Sequence, residues 1–159
     1  MTKTAKIQQV VLSDNVGLFS ICFDNATENE FEKFIKKFRD DATLNEDYQA
    51  IVSALKYIVA KGALERRFRM EGKMNDDLVA LPIERSRIRL FCLRMSDQVL
   101  IVGNGGIKNA RTYEESEELN GYVIDLQKFD KILRQALKEG SIRIERNVII
   151  GIEEATFEI

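Results

Sequence analysis

Arginines at positions 85, 87 and 89 recur at every second residue of the segment Arg85-Ser86-Arg87-Ile88-Arg89-Leu90-Phe91-Cys92. In an extended strand alternate side chains share a face, so this spacing lines one side with guanidinium groups and turns Ile88, Leu90 and Cys92 to the other. Arg67 and Arg69 repeat the pattern on the preceding strand-like run, and Lys108 and Arg111 follow the next run across a glycine turn. If these runs pair as a meander, the cations converge. Guanidinium groups make bidentate contacts to phosphate, so such a cluster suits an RNA or DNA backbone, or the charge of a pentacovalent phosphorane. Tyr113, in the polar stretch just after Arg111, adds a phenol that can stack on a base or donate a proton. The plainer alternative is a set of edge arginines paired with Glu65, Glu71 or Glu84.

Other chemistries find less support. Histidine is absent, which removes the commonest general base, the commonest metal ligand and the base of a Ser or Cys triad. Cys22 and Cys92 lie far apart in apolar runs with no metal-type spacing, so reduced core thiols are expected. Gly103-Asn104-Gly105-Gly106-Ile107-Lys108 resembles a phosphate loop only superficially, because Asn109 follows the Lys and the glycines are wrongly spaced. It is expected to be a flexible strand exit that positions Lys108. Asp76-Asp77 and the run Glu114, Glu115, Glu117, Glu118 are expected to be solvated turns, so neither a metal site nor a cofactor is predicted. Tyr48 and Tyr57 fall in or near an apolar helical stripe and are assigned to the core.

The composition sets the frame for these residues. With 159 residues, 45% hydrophobic and 31% charged, the chain suits a single compact domain with a real core. The formal charge of −2 hides an asymmetry: Lys61 to Arg111 carries eleven Lys and Arg against six Asp and Glu, net +5, while the remainder is net −7. A basic stretch on an acidic protein is a candidate anion surface, since each phosphate contact releases counterions. No run approaches the roughly 18 apolar residues that span a bilayer, and no h-region follows the first lysines, so a cytoplasmic protein without membrane contact is expected.

The elements that must hold the cations follow from periodicity. Ile7 to Leu12 and Val16 to Phe23 flank Ser13-Asp14-Asn15, which predicts a hairpin. Thr27-Glu28-Asn29-Glu30 reads as a capping box before Phe31, Phe34, Ile35 and Phe38 at helical spacing. Tyr48, Ile51, Val52, Leu55, Ile58 and Val59 repeat the period, with Lys61-Gly62 as the stop. Strand-like runs then cover Arg66 to Met70, Leu78 to Glu84, Arg87 to Met95 and Val99 to Val102, separated by short turns. Gly103 to Asn120 is polar. Leu126, Phe129, Ile132, Leu133, Ala136 and Leu137 predict a third helix ended by Gly140, followed by strand candidates at Ser141 to Glu145 and Val148 to Ile152. The expected class is α+β: two N-terminal helices packed on an antiparallel sheet, plus a C-terminal helix and strand extension.

This order of helix, helix and meander ends in R-I-R-L-F-C-L-R-M, a two-residue turn, V-L-I-V-G-N-G-G-I-K and a polar T-Y tail. It resembles the RelE/ParE superfamily, and within it the HigB-like, phage-derived toxins of bacterial toxin–antitoxin systems. The resemblance spans about Val16 to Tyr113. It implies a RelE-like domain over residues 1–121, with 122–159 as a helix-hairpin extension packed on it. It also implies a strand Arg at Arg89, a Lys-bearing exit at Lys108, and Arg111 as a third catalytic candidate. Arg67, Arg69, Arg85, Arg87 and Tyr113 become contacts to nucleic acid. The implied activity is metal-independent cleavage of mRNA on the ribosome, by attack of a ribose 2′-OH on the adjacent phosphate, with an antitoxin protein as partner. A lysine of lowered pKa can serve as base while arginine stabilises the phosphorane, so the lack of histidine is compatible with this chemistry. The net acidic chain, the single Lys and the long extension depart from the family, and they point to the alternative of a non-catalytic interaction module. Oligomeric state is left open.

Overall fold

The computed structural model describes residues 3–71, 76–83, 85–108 and 116–159. Alternating apolar residues at the start form the hairpin β1 (Thr4–Leu12) and β2 (Gly17–Phe23). Helix α1 (Glu30–Phe38) begins two residues later than the Thr27 box predicts. Its capping box is formed by Asn29 and Glu32: Glu32 N–H donates to Asn29 Oδ1 at 2.8 Å, and Asn29 N–H donates to Glu32 Oε1 at 3.0 Å. Helix α2 (Asn45–Lys61) ends at Gly62, whose φ of 112° lies outside the range most side chains tolerate.

Four strands follow: β3 (Arg69–Met70), β4 (Leu78–Ala80), β5 (Ile88–Ser96) and β6 (Val99–Ile107). Residues Glu65–Arg67 form a short 3₁₀ turn ahead of β3 rather than part of a strand. Strand β6 runs five residues past its expected end, through the glycine-rich segment. The reason is space: a Cβ on Gly105 would overlap the Arg89 carbonyl, one on Gly103 would lie 2.9 Å from Leu126 and one on Gly106 2.8 Å from Glu118. These glycines let neighbouring backbone and a helix close on the strand.

Helix α3 (Glu117–Glu139) starts nine residues before Leu126, is capped by Ser116, whose hydroxyl accepts from Leu119 N–H, and ends on Gly140 in the left-handed region. A short hairpin of β7 (Arg143–Glu145) and β8 (Val148–Ile150) precedes β9 (Phe157–Glu158).

Among the described residues one seven-stranded sheet runs in the order β3-β4-β5-β6-β2-β1-β9. Its neighbours are antiparallel except β2 and β6, which run parallel. The described residues are therefore mixed α+β, with three α-helices and a large, mostly antiparallel sheet. Helices cover both faces. On one, Phe34, Phe38, Tyr48, Ile51 and Leu55 of α1 and α2 pack on Leu18, Leu90, Cys92 and Val102. On the other, Leu119, Leu126, Phe129 and Leu133 of α3 pack on Phe19, Ile21, Phe91 and Ile101. The two N-terminal helices expected on the sheet thus cover one of its faces, and α3 covers the other. Apolar side chains on both faces of β5 and β6 require a helix on each.

Two other assignments change. Tyr48 is in the core, but Tyr57 is exposed, with the Arg67 guanidinium 4.9 Å from its ring centroid. Cys92 is buried and Cys22 half-buried, both as free thiols. Burial raises the pKa of each, which lowers thiolate character.

Candidate functional site

The meander brings three of the expected cations to one place. Arg89 lies opposite Gly106 in the β5–β6 ladder, and Lys108 N–H donates to Arg87 O at 2.8 Å just beyond it. Glu71, at the end of β3, ties the cluster together. Its Oε1 is 2.6 Å from Arg89 Nη1 and 3.2 Å from Arg69 Nε. Glu71 is nearly buried and Arg69 about half exposed, so the carboxylate forms the floor and Arg69 the rim. Among the described residues the cluster sets three cations around one anion, an excess of positive charge.

The electrostatics differ between members. Burial lowers the pKa of Lys108, and the positive charges of Arg89 and Arg69 lower it further against the opposing pull of Glu71. Burial also lowers the pKa of Arg89, with Glu71 acting the other way. Arginine stays charged over any working pH. The cluster thus pairs a fixed, partly desolvated cation with a lysine whose pKa is shifted below its ordinary value.

The other predicted residues go elsewhere. Arg87 precedes β5 and turns to α2, where its Nε lies 3.1 Å from Asp47 Oδ2 and its Nη2 donates to Thr43 O at 2.6 Å. That pairing holds the Asp47 carboxyl below the usual range. The single guanidinium face expected for Arg85, Arg87 and Arg89 is not formed, because the strand starts only at Ile88. Arg89 instead shares the side of Phe91 and Leu93, which face α3. Arg85 is exposed in the turn before β5, with φ at 60°. Arg67 donates from Nη1 to Gly62 O at 2.5 Å and stacks on Tyr57, so it secures the end of α2. Arg111 and Tyr113 lie outside the described residues, as do Glu84, Glu114 and Glu115.

A second polar constellation carries no signal in the sequence. Lys37 of α1 donates to Gly105 O at 2.5 Å and to Tyr122 Oη at 2.9 Å, and its Nζ is 3.2 Å from Glu118 Oε1. Tyr122 Oη in turn donates to Glu118 Oε1 at 3.1 Å. Burial lowers the pKa of Lys37, while burial and Glu118 raise that of Tyr122. The group clamps α1 to α3 across the end of β6. Lys37 sits on the polar side of an ordinary amphipathic helix, and its partners are about 70 to 85 residues away.

Asp76 and Asp77 are also more than a solvated turn. Arg134 Nε lies 3.0 Å from Asp77 Oδ2 and 3.2 Å from Asp130 Oδ2, and Asp77 N–H donates to Asp130 at 3.2 Å. Among the described residues no group of three or more acidic or Cys side chains is arranged to hold a metal ion. No described helix is long and apolar enough to cross a membrane.

No family model matches the chain, and comparison with curated proteins and with solved structures finds no match.

Proposed function

We propose that this chain is a RelE/HigB-like toxin of a toxin–antitoxin system, acting as a metal-independent endoribonuclease on mRNA. The convergence of Arg89, Lys108 and Arg69 around Glu71 carries the reading. The element order supports it as well: a hairpin and two helices precede an antiparallel meander, a central strand carries Arg89, and β6 leaves the sheet through Lys108. Arg111 and Tyr113 follow Lys108 in the sequence and complete the proposed site.

In the proposed reaction the neutral Lys108 amine takes the proton from a ribose 2′-OH. The 2′ oxygen bonds to the adjacent phosphorus, and the phosphorane charge is met by Arg89. The bond to the 5′ oxygen then breaks and the leaving oxygen takes a proton from solvent water, with Arg111 assigned as an electrostatic partner for the phosphorane charge. The products are a 2′,3′-cyclic phosphate and a 5′-hydroxyl. Arg69 at the rim, with Arg85 and Tyr113, is assigned to the RNA strand, and the ribosome is the proposed setting. Incubating purified protein with mRNA on translating ribosomes tests this: cleavage abolished by Lys108→Ala and by Arg89→Ala is expected, and cleavage that survives both substitutions contradicts it.

One observation favours a second reading, a non-catalytic module that binds protein. Val10, Val11, Phe31, Ile35, Val52 and Val59 line an apolar groove of about 520 Å³ between β1 and the two helices. Contiguous exposed apolar surface of this kind marks interaction sites. An antitoxin bound there would serve either reading.

A further inference from the structure

The apolar groove between β1 and the two N-terminal helices owes its shape to a bulge in the β1–β2 ladder. The register of the two strands shifts between Gln9 and Val11, and Val10 has no partner on β2. A regular strand turns successive side chains to opposite faces, but a bulge re-aims them, and the consecutive residues Val10 and Val11 both line the groove. Phe31 and Ile35 of α1 and Val52 and Val59 of α2 form the other walls, over a floor of buried Leu18 and Leu55. The turn after β1 is tied to the end of α2, where Ser13 Oγ donates to Val59 O at 2.7 Å and Asn15 Nδ2 donates to Ala60 O at 2.6 Å.

Volume and lining restrict what fits. The groove's volume of about 520 Å³ lies within the range of small-molecule pockets, about 300–1,000 Å³. A helix about 10–12 Å across would fill it with roughly one turn. An extended peptide would bury backbone N–H and C=O groups against apolar walls that cannot pair with them. A hydrocarbon chain has no polar group along its length, so apolar walls suit all of it.

Charge then selects the head group. Among the described lining residues Lys56 carries the one charge, and it is exposed on α2, which sets its ammonium at the rim. Its neighbours one turn away on the helix, Val52, Ser53, Val59 and Ala60, hold no carboxylate, and among the described residues no acidic side chain pairs with it. By contrast Lys33, Lys36 and Lys37 of α1 each hold a carboxylate. The groove is thus complementary to a long apolar chain that ends in a single anion.

We propose that this groove binds a free, unbranched fatty acid, with its chain between the bulge of β1 and the two helices and its carboxylate paired with Lys56. The walls read chain length and the lysine reads the head group. A bound acid and a protein partner compete for the groove. The groove shares no residue with the cationic cluster, so acid binding and RNA cleavage are independent and either can fail alone.

Calorimetric titration of the full chain with octanoate, decanoate and dodecanoate, each below its micelle-forming concentration, tests the proposal. One-to-one binding is expected, tightening about fourfold per buried methylene and so about fifteenfold per two-carbon step. Lys56→Gln weakens decanoate by about two- to fivefold, the range of an exposed ion pair, and leaves the neutral chain decanol unchanged. Val11→Glu, at a position 42% exposed, puts a charge in the apolar wall and removes binding of both. Both substitutions are at exposed positions, and circular dichroism checks that the variants fold. No saturable binding by the native chain, an affinity that does not rise with chain length, decanoate binding unchanged by Lys56→Gln, or binding that survives Val11→Glu overturns the proposal.

Discussion

Arg89 Nη1 stands 2.6 Å from Glu71 Oε1, with the two side chains only 12% and 7% exposed. A guanidinium this far from solvent is tolerated because the carboxylate is there. The same contact restrains Arg89 from approaching another anion, so a phosphate that binds Arg89 must compete with Glu71.

Glu71→Gln therefore separates stability from binding. Removing one partner of a nearly buried ion pair leaves an uncompensated charge and costs about 3 kcal/mol. Urea denaturation measures that loss. RNA affinity at low salt is expected to rise, because the cluster gains a net positive charge. An unchanged unfolding midpoint would show that Arg89 has another partner.

The lowered pKa of Lys108 sets a pH dependence for cleavage. Its neutral amine is the proposed base, so the rate rises with pH along a limb lying below the ordinary lysine value of about 10.4. Lys108→Arg keeps the charge but holds its proton. It is expected to remove that limb and lower the rate by about 10²-fold or more, read from initial rates across the pH range.

Asp130 gives stability a slope of the opposite kind to the usual carboxylate. Burial first, then Asp77, push its carboxyl up to about 7, while Arg134 pulls it down. Between the unfolded value near 3.9 and the folded one, the folded chain binds more protons than the unfolded chain. This contribution is present below that window and is lost as the pH rises through it. Asp130→Asn removes the slope, so thermal melts of the two proteins should converge at low pH and separate toward neutrality, with the native chain falling. Parallel curves would place the proton elsewhere.

Two glycines answer the same substitution with opposite signs. A methyl on Gly105 overlaps the Arg89 carbonyl, so Gly105→Ala is expected to cost about 3 kcal/mol or more and to disturb the β5–β6 ladder. Gly121 lies in α3 with nothing within 4 Å of an added Cβ, and Gly121→Ala is expected to gain about 0.5–1 kcal/mol. Paired denaturation curves check both.

Local periodicity carried most of the elements. The Phe31 to Phe38 and Tyr48 to Val59 stripes mark α1 and α2, and the alternation from Arg87 to Met95 marks β5 to within a residue at either end. Long-range pairing was not legible. Nothing near Val16 or Val99 announces that β2 and β6 run parallel, since that depends on how both ends of the chain fold back. The Gly103–Gly106 segment misled because glycine marks flexible loops and crowded strands alike, and only the neighbours Arg89, Leu126 and Glu118 distinguish them. Arg89 and Lys108 were legible as a pair because they flank one turn. Arg87 escaped because Asp47, its partner, is 40 residues away.

The central claim is that this chain cuts mRNA through Arg89, Lys108 and Arg111. Induced expression in a bacterial host, followed by mapping of mRNA ends, tests it most directly, with the Arg89→Ala, Lys108→Ala, Arg111→Ala triple variant as the comparison. Growth arrest and new 5′-hydroxyl ends with the native chain, both absent with the variant, are predicted. Continued growth without new ends while the native protein accumulates folded, or cleavage that survives the triple substitution, would contradict it.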